Sequence, residues 1–169
     1  MTRKSSPRSR SVTKPDVVEV IDRTASIENI LNQVIVGYCR PRKEAWEFMW
    51  SVVLDTSIMP LGAKVKVAMA ASQEMRVKLD RDALLSVISL RNAFAHHASY
   101  AHPVLVVAAN EYEEPTSYNQ LWVLGSEGKI RRVKRQEALT EFSKSYVKAK
   151  KSLVALNDAI RARYGNDAA

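Results

Sequence analysis

The sequence has few of the residues that build disulfides, metal clusters or repetitive chains. Its 169 residues include one cysteine, five glycines and six prolines. A single cysteine excludes an intramolecular disulfide and a cysteine-based zinc site. The low glycine and proline counts exclude collagen-like and low-complexity chains. No phosphate-binding glycine loop is present, so we predict no cofactor.

Long hydrophobic runs are also missing. Two of the longest, residues 51–54 and 103–109, are far shorter than the roughly 20 residues that a membrane-spanning helix needs. The basic amino-terminal stretch is followed by no apolar segment, which distinguishes it from a secretory signal. We therefore expect a soluble cytoplasmic protein with no membrane partner.

The composition that is present fits one globular domain. Hydrophobic residues make up 46% of the chain and charged residues 26%, both near the globular average. Residues 1–14 are rich in serine and basic side chains and show no apolar periodicity, which predicts a disordered basic arm. We place a single helical domain at residues 15–165 and a short tail at 166–169.

The formal net charge of +8 is concentrated in two blocks. Residues 1–14 hold five basic residues and no acid, and residues 129–151 hold nine basic residues and two acids. A basic surface raises the local concentration of a polyanion such as RNA. The candidate nucleic-acid-binding residues are Arg131, Arg132, Lys134 and Arg135. The alternative is a solubilising tail and a solvated helix face.

Apolar residues at spacings of three and four predict four helices in the first part of the chain. They cover residues 27–38, 44–55 and 61–72, and a segment from Asp80, a good N-cap residue, toward His97. Residues 16–23 are ambiguous between a short strand and an approach loop. Within the second helix, three aromatic residues, Trp46, Phe48 and Trp50, are predicted to be core residues in preference to a base-stacking platform.

The pattern then changes to short β-favouring runs. Residues 104–108, 120–124 and 129–134 predict a small antiparallel hairpin region at about 103–134. A long last helix follows, because its apolar residues repeat as a heptad: Leu139, Phe142, Tyr146, Ala149, Leu153, Leu156 and Ile160. Its seam is compatible with packing in its own bundle or across a dimer. The predicted fold is mainly α, with about five helices and a β-hairpin before the long carboxy-terminal helix.

The fourth helix carries the main chemical signal. At about 100° per residue, Arg91 lies near the centre of the apolar stripe that we assign to this helix. A buried guanidinium needs a carboxylate, backbone carbonyls, an anionic ligand or a water-filled cleft. Asn92 and His96 share a different stripe, and His96 lies about 140° around the helix from Arg91. A second copy of the helix across a two-fold axis would bring the two groups together.

These three side chains suit RNA cleavage without a metal. Arginine pairs with phosphate oxygens, histidine transfers protons near neutral pH, and asparagine can orient either partner. The structural alternative is that Arg91 forms an ion pair that ties helices together. Its candidate partners are Glu28, Glu44, Glu47 and Asp55.

A metal site is not predicted. Three histidines, His96, His97 and His102, fall within seven residues, but neighbouring histidines point to different helix faces. No acidic ligand lies close to them in the sequence.

The segment Leu-Arg-Asn-Ala-Phe-Ala-His at residues 90–96 resembles the motif of the HEPN superfamily, an arginine and a polar residue followed by a histidine. The resemblance extends over about residues 25–98, and Leu-Gly-Ala-Lys-Val-Lys-Val at 61–67 is similar to the preceding helix in the mannitol-repressor-like branch. It implies a helical bundle that forms a homodimer with the motif helices facing each other.

The same resemblance implies an activity and a set of roles. Active HEPN proteins are metal-independent endoribonucleases, often toxins or defence effectors, which implies an antitoxin or regulatory partner. By this resemblance Arg91 binds the scissile phosphate, Asn92 assists, and His96 acts as acid or base, with His97 as an additional candidate. The alternative is a non-catalytic regulator or nucleic-acid-binding accessory protein of the mannitol-repressor-like type.

Overall fold

A computed structural model describes residues 15–96, 102–106, 116–125 and 127–165 of the chain. The side chains of residues 102–106 and 116–119 are not part of this description. The predicted basic arm at 1–14 and the predicted tail at 166–169 lie outside the described residues, and so does His97.

Helices dominate the described part of the chain. They are α1 (Pro15–Cys39), α2 (Lys43–Phe48) with a π-helical continuation at Met49–Val53, α3 (Leu61–Met75), α4 (Arg81–His96) and α5 (Arg135–Tyr164). Between α4 and α5 lie β1 (His102–Val106), β2 (Thr116–Leu124) and β3 (Ile130–Lys134). The prediction of a mainly α fold with antiparallel strands before a long last helix is confirmed.

Helix α1 begins earlier than its sequence pattern predicts. Residues 16–23 form its first turns, whereas we considered a strand or a loop there. Pro15 suits the first position of a helix, and Asp16 in the first turn is favourable at the positive end of the dipole. Val17 and Val20 extend the buried stripe of the helix and are 5% and 0% exposed. Burial against the bundle therefore overrides the β preference of these valines.

The three strands form one antiparallel sheet in the order β1-β2-β3. The chain reverses between β2 and β3 through a turn in which Gly128 adopts a φ of 77°. This left-handed conformation favours glycine because a Cβ would be strained there. Side chains alternate along β2, so that Leu121 is buried while Trp122 faces outward, directly opposite Arg132 on β3.

The heptad stripe of α5 faces the interior of its own bundle. Ala149, Leu153, Leu156 and Ile160 are at most 1% exposed, and they belong to the same apolar core as residues of α1, α3 and α4. Of the two arrangements open to this seam, the chain therefore uses packing within its own bundle. The 30 residues of α5 span about 45 Å.

The aromatic residues around α2 are less buried than predicted. Trp46 and Trp50 are half-buried, and their rings stack with centroids 5.5 Å apart and an interplanar angle of 5°. Phe48 is 60% exposed, so its assignment to the core is wrong. The reason is geometric, since Phe48 lies about 200° around the helix from Trp46 and points away from the bundle.

An ion pair joins the start of α1 to the start of α5. The Arg135 guanidinium donates to both carboxylate oxygens of Asp16, through Nε to Oδ2 and through Nη2 to Oδ1 at 2.9 Å. The Arg135 side chain is only 10% exposed, and its guanidinium lies 5.1 Å from the ring centroid of Phe94. Arg135 therefore connects α1, α4 and α5.

Replacing Asp16 with alanine is expected to destabilise the protein by about 2–3 kcal/mol, because Arg135 would keep its charge in a buried place without a partner. Thermal unfolding should show a decrease in Tm of about 5–10 °C. The control is Glu141→Ala, which breaks the more exposed pair with Arg131 and should cost less than about 1 kcal/mol. Equal losses in the two variants would contradict the assignment.

This ion pair also gives stability a defined dependence on pH. Hydrogen bonds from Arg135 hold the pKa of Asp16 below its ordinary value of 3.8, although burial opposes them. A carboxylate with a lowered pKa stabilises the folded state above its unfolded pKa, and that contribution is lost as the pH falls through the folded pKa. The difference between wild type and Asp16→Ala should therefore shrink only in acid below about pH 4.

Candidate functional site

Helix α4 positions the predicted motif. The carboxylate of Asp80 accepts a hydrogen bond from the backbone N–H of Ala83 at 3.0 Å, which is the cap expected at this helix start. The most buried residues of α4 are Ala83, Leu84, Val87, Leu90, Ala93 and Phe94. On the angular scale that puts Leu84 at zero, these residues centre near 270°, so Arg91, at about 340°, lies at the edge of the buried face.

The prediction that Arg91 lies at the middle of the buried stripe is therefore wrong. It gave equal weight to Ile88 and Ala95, which shift the apparent centre of the stripe toward Arg91 but are only half-buried. Arg91 is itself half-buried, and its Nη1 donates to Oδ1 of Asn92 at 3.2 Å. Among the described residues, no carboxylate oxygen lies within 4.0 Å of this guanidinium.

Arg91 lines a cavity of about 360 Å³ between α1, α4 and the start of α3. Glu28 of α1 is the carboxylate in this cavity, and it is held by other groups. Lys64 Nζ donates to Glu28 Oε1 at 2.5 Å, and Thr56 Oγ1 donates to the same oxygen at 2.6 Å. The structural alternative, an ion pair from Arg91 to Glu28, Glu44, Glu47 or Asp55, is not observed in the described part of the chain.

The electrostatics of Glu28 agree with this arrangement. Burial raises the pKa of Glu28, but the hydrogen bonds from Lys64 and Thr56 and the charges of Lys64 and Arg91 outweigh it. The pKa therefore lies below its ordinary value of 4.5, and Glu28 is ionised at neutral pH. Arg91 contributes through the field in the cavity and not through a direct contact.

The fully buried cation of the described bundle is Lys64, which the sequence reasoning missed. Its side chain is 1% exposed. The signal was available, because Lys64 lies on the stripe of Leu61, Val65 and Ala68, at the spacing that drew attention to Arg91. The physical argument for a paired buried cation was sound, but it belongs to Lys64 and Glu28.

His96 lies at the end of α4, exposed, in a different cavity from Arg91. This second cavity, of about 480 Å³, lies between α4 and β2, and it is lined by His96, Ser89, Trp122 and Leu124 among others. Asn92 lines both cavities and forms the ridge between them. One chain therefore does not bring Arg91 and His96 together, in agreement with the angle of about 140° between them.

Trp122 is the residue beside His96 that sequence reasoning did not identify. Its side chain is 43% exposed, and the guanidinium of Arg132 lies 5.1 Å from its ring centroid. A large aromatic side chain is seldom this exposed, and its position opposite an arginine favours a binding role. The signal in the sequence was the alternation of apolar residues along β2, which places Trp122 on the face opposite to Leu121 and Val123.

The predicted basic residues have different environments. Arg135 is committed to Asp16, and Arg131 donates to both carboxylate oxygens of Glu141, at 2.8 and 2.5 Å. Hydrogen bonding to Glu141 raises the pKa of Arg131, although burial of the guanidinium opposes this shift. Lys134 lies 3.9 Å from a carboxylate oxygen of Glu137.

Four further cations of the basic block at residues 129–151 lie on helix α5. They are exposed, and they comprise Lys144, Lys148, Lys150 and Lys151.

Comparison of the chain with protein-family models, with curated proteins and with solved structures gives no match. The HEPN resemblance of residues 90–96 therefore stays a hypothesis. In the described residues, no group of three or more His, Cys, Asp and Glu side chains is arranged to hold a metal ion. Within the same residues, no helix combines the length and the apolar character needed to cross a lipid bilayer.

Proposed function

We propose that this protein binds RNA along α4 and the β2–β3 hairpin and cleaves it without a metal ion, as a HEPN-like endoribonuclease. One observation carries the proposal. Arg91 is half-buried at a cavity, held by Asn92, and has no carboxylate partner among the described residues. A guanidinium in this position has the geometry and charge to bind a phosphodiester.

The chemistry follows from the residue types. A base removes the proton from a ribose 2′-hydroxyl, whose oxygen attacks the adjacent phosphorus atom. The bond to the 5′-oxygen breaks, and an acid returns a proton to that leaving oxygen, so the products end in a 2′,3′-cyclic phosphate and a 5′-hydroxyl. His96 supplies the proton transfer and Arg91 stabilises the charge that develops on the phosphoryl oxygens.

A complete site requires two chains in this proposal. Arg91 and His96 line separate cavities of one chain, on either side of Asn92. Pairing of two α4 helices about a two-fold axis places the same patch on both sides of the contact. A phosphate held by Arg91 then meets His96 of the partner subunit.

The remaining surface suits the rest of an RNA strand. Trp122 offers an aromatic ring next to the His96 cavity, and Arg132 places positive charge over that ring. Aromatic stacking and backbone charge are the two interactions that hold single-stranded RNA. Exposed lysines of α5, Lys144 and Lys148 among them, add positive charge that can attract the RNA backbone.

Incubation of the purified protein with single-stranded RNA in EDTA tests the proposal. We expect fragments that end in cyclic phosphate, identified by mass spectrometry, and a cleavage rate that EDTA does not change. A protein carrying Arg91→Ala is the matched control for a contaminating nuclease. Intact RNA over a wide range of protein concentration would overturn the proposal.

A second candidate function is RNA binding without cleavage. The separation of Arg91 from His96 within one chain favours it, because a monomer holds the phosphate site and the proton-transfer group in different cavities. Salt-dependent RNA binding by a monomer that leaves the RNA intact would identify this function.

A further inference from the structure

A third cavity, with the features of a ligand site, lies at the other end of the bundle. Helices α1 and α5 run in the same direction, since Asp16 contacts Arg135 at their starts and Tyr38 contacts Tyr164 at their ends. Phe94 of α4 lies beside Arg135, which places the end of α4 at the starting end of α1 and α5. The cavity between the last turns of α1 and α5 and helix α2 is therefore remote from His96.

This cavity has a volume of about 320 Å³, at the lower end of the range for small-molecule sites. The side chains that matter for binding are Gln33, Arg40, Trp46, Trp50, Asn157 and Arg161. They combine aromatic rings, side-chain amides and guanidinium groups, whereas an ordinary packing defect is lined by aliphatic groups.

Two tryptophans form one wall. The rings of Trp46 and Trp50 are stacked on each other, so a ligand contacts them from the cavity and does not insert between them. The indole nitrogen Nε1 of Trp46 is buried and has no hydrogen-bond acceptor among the described residues, so the ring of Trp46 and not its N–H borders the cavity.

The charge of the cavity lining is positive. Among the described residues that line it, Arg40 and Arg161 carry charge and none is Asp or Glu. The carboxyl ends of α1 and α5 each contribute about half a negative charge, which together offsets about one of the two guanidinium charges. The described part of the lining keeps a net positive charge, which favours an anionic ligand.

Amide groups form a third part of the lining. Asn157 is 7% exposed and its Nδ2 donates to Oε1 of Gln33 at 3.2 Å. This leaves Oδ1 of Asn157 and Nε2 of Gln33 without a hydrogen-bond partner among the described residues. These two atoms supply an acceptor and a donor, which are the kinds of group that pair with the edge of a nucleobase.

We infer that this cavity binds a nucleoside monophosphate. The base lies against Trp46 with its edge at Gln33 and Asn157, and the phosphate lies between Arg40 and Arg161. The lining suits a ligand with an aromatic ring for the tryptophans, a hydrogen-bonding edge for the amides and a phosphate for the arginines. A nucleoside monophosphate combines these three parts. The inference is independent of RNA cleavage at α4.

Calorimetric titration of the full chain with adenosine 5′-monophosphate tests the inference. We expect saturable binding of one equivalent, with adenosine and inorganic phosphate each at least about tenfold weaker, since each lacks one half of the contacts. Tryptophan fluorescence should change with the same concentration dependence. No saturable signal up to about 10 mM nucleotide would overturn the inference.

Variants of the two arginines locate the binding site. Arg40→Gln and Arg161→Gln should each weaken nucleotide binding by about tenfold or more, because each removes a charge-assisted hydrogen bond to phosphate. The matched control is Arg163→Gln, at the same end of α5 but outside the cavity lining, which should leave affinity unchanged. Equal weakening in all three variants would show a general charge effect and would overturn the site.

Discussion

Replacing His96 with alanine is expected to lower the rate of RNA cleavage by about 10²–10⁴-fold, which is what a positioned acid or base contributes. Arg91→Ala should lower it by about 10²–10³-fold, because the charge that develops on the phosphate loses its partner. Initial rates on labelled RNA in EDTA measure both effects. Arg81→Ala is the control, since Arg81 is exposed on the same helix and lines neither the Arg91 cavity nor the His96 cavity.

A mixing experiment tests whether the site is shared between subunits. Arg91→Ala and His96→Ala chains are each inactive, but a mixed dimer contains one site with both residues intact. Random reassociation should therefore restore about one quarter of the wild-type activity, since half the dimers are mixed and each has one good site. Activity that is lost in both variants and not restored by mixing would place Arg91 and His96 of one chain in the same site.

Similar losses of cleavage in His96→Ala and Arg81→Ala would point to a disturbed helix and not to lost chemistry. Melting curves of every variant should therefore accompany the rates. Both His96 and Asn92 are exposed, so their replacement should change stability by no more than about 0.5 kcal/mol. A large loss of cleavage at unchanged Tm is the expected signature of a catalytic residue.

Replacing Lys64 with alanine is expected to destabilise the fold by about 3–5 kcal/mol, the largest stability effect that we predict. The Lys64 side chain is 1% exposed and contacts Glu28 at 2.5 Å, so its removal leaves a partly buried carboxylate without its main partner. Thermal unfolding should show a decrease in Tm of about 10 °C. The control is Lys66→Ala, an exposed lysine on the same helix, which should change stability by about 0.5 kcal/mol or less.

Removing the charges of both Lys64 and Glu28 separates the contribution of their ion pair to stability from the contribution of side-chain packing. The double variant Lys64→Met with Glu28→Gln keeps the volumes and leaves no buried charge, so it should recover most of the stability that Lys64→Ala loses. A double variant as unstable as Lys64→Ala would mean that the loss comes from packing and not from an unpaired charge.

The contribution of the Lys64–Glu28 pair to folding stability depends on pH in a defined direction. Because the pKa of Glu28 lies below its ordinary value of 4.5, its ionised form stabilises the folded chain above that pH. The contribution disappears as the pH falls through the lowered pKa. The stability difference between wild type and Lys64→Ala should therefore be constant near neutral pH and decrease below about pH 4.5.

The local part of the fold was predictable from the sequence. Apolar spacing predicted the bundle helices, and the heptad from Leu139 to Ile160 predicted the long buried face of α5. Asp80 was predictable as a helix cap because its carboxylate bonds a backbone N–H only three residues away. The angle between Arg91 and His96 was equally predictable, since it depends on helix geometry alone.

Features that depend on how the helices pack against each other were not predictable from local sequence patterns. The valines of residues 16–23 prefer strands locally, and only contact with the bundle makes them helical. Phe48 has the hydrophobicity of a core residue, but the direction of α2 leaves it exposed. In both cases the deciding energy comes from residues distant in the sequence.

Outside residues 16–23, the sequence by itself determined where the bundle helices lie and that a cation lies on an apolar stripe, because these depend on the order of apolar and charged residues along the chain. Only the tertiary structure decided that Lys64 and not Arg91 is the fully buried cation, that Glu28 is held by Lys64 and Thr56, and that His96 has Trp122 as its neighbour. The physical reason is that ion pairing and burial depend on which faces meet. Those contacts join residues 26 to 36 positions apart that lie in different helices, turns or strands, and no local pattern encodes them.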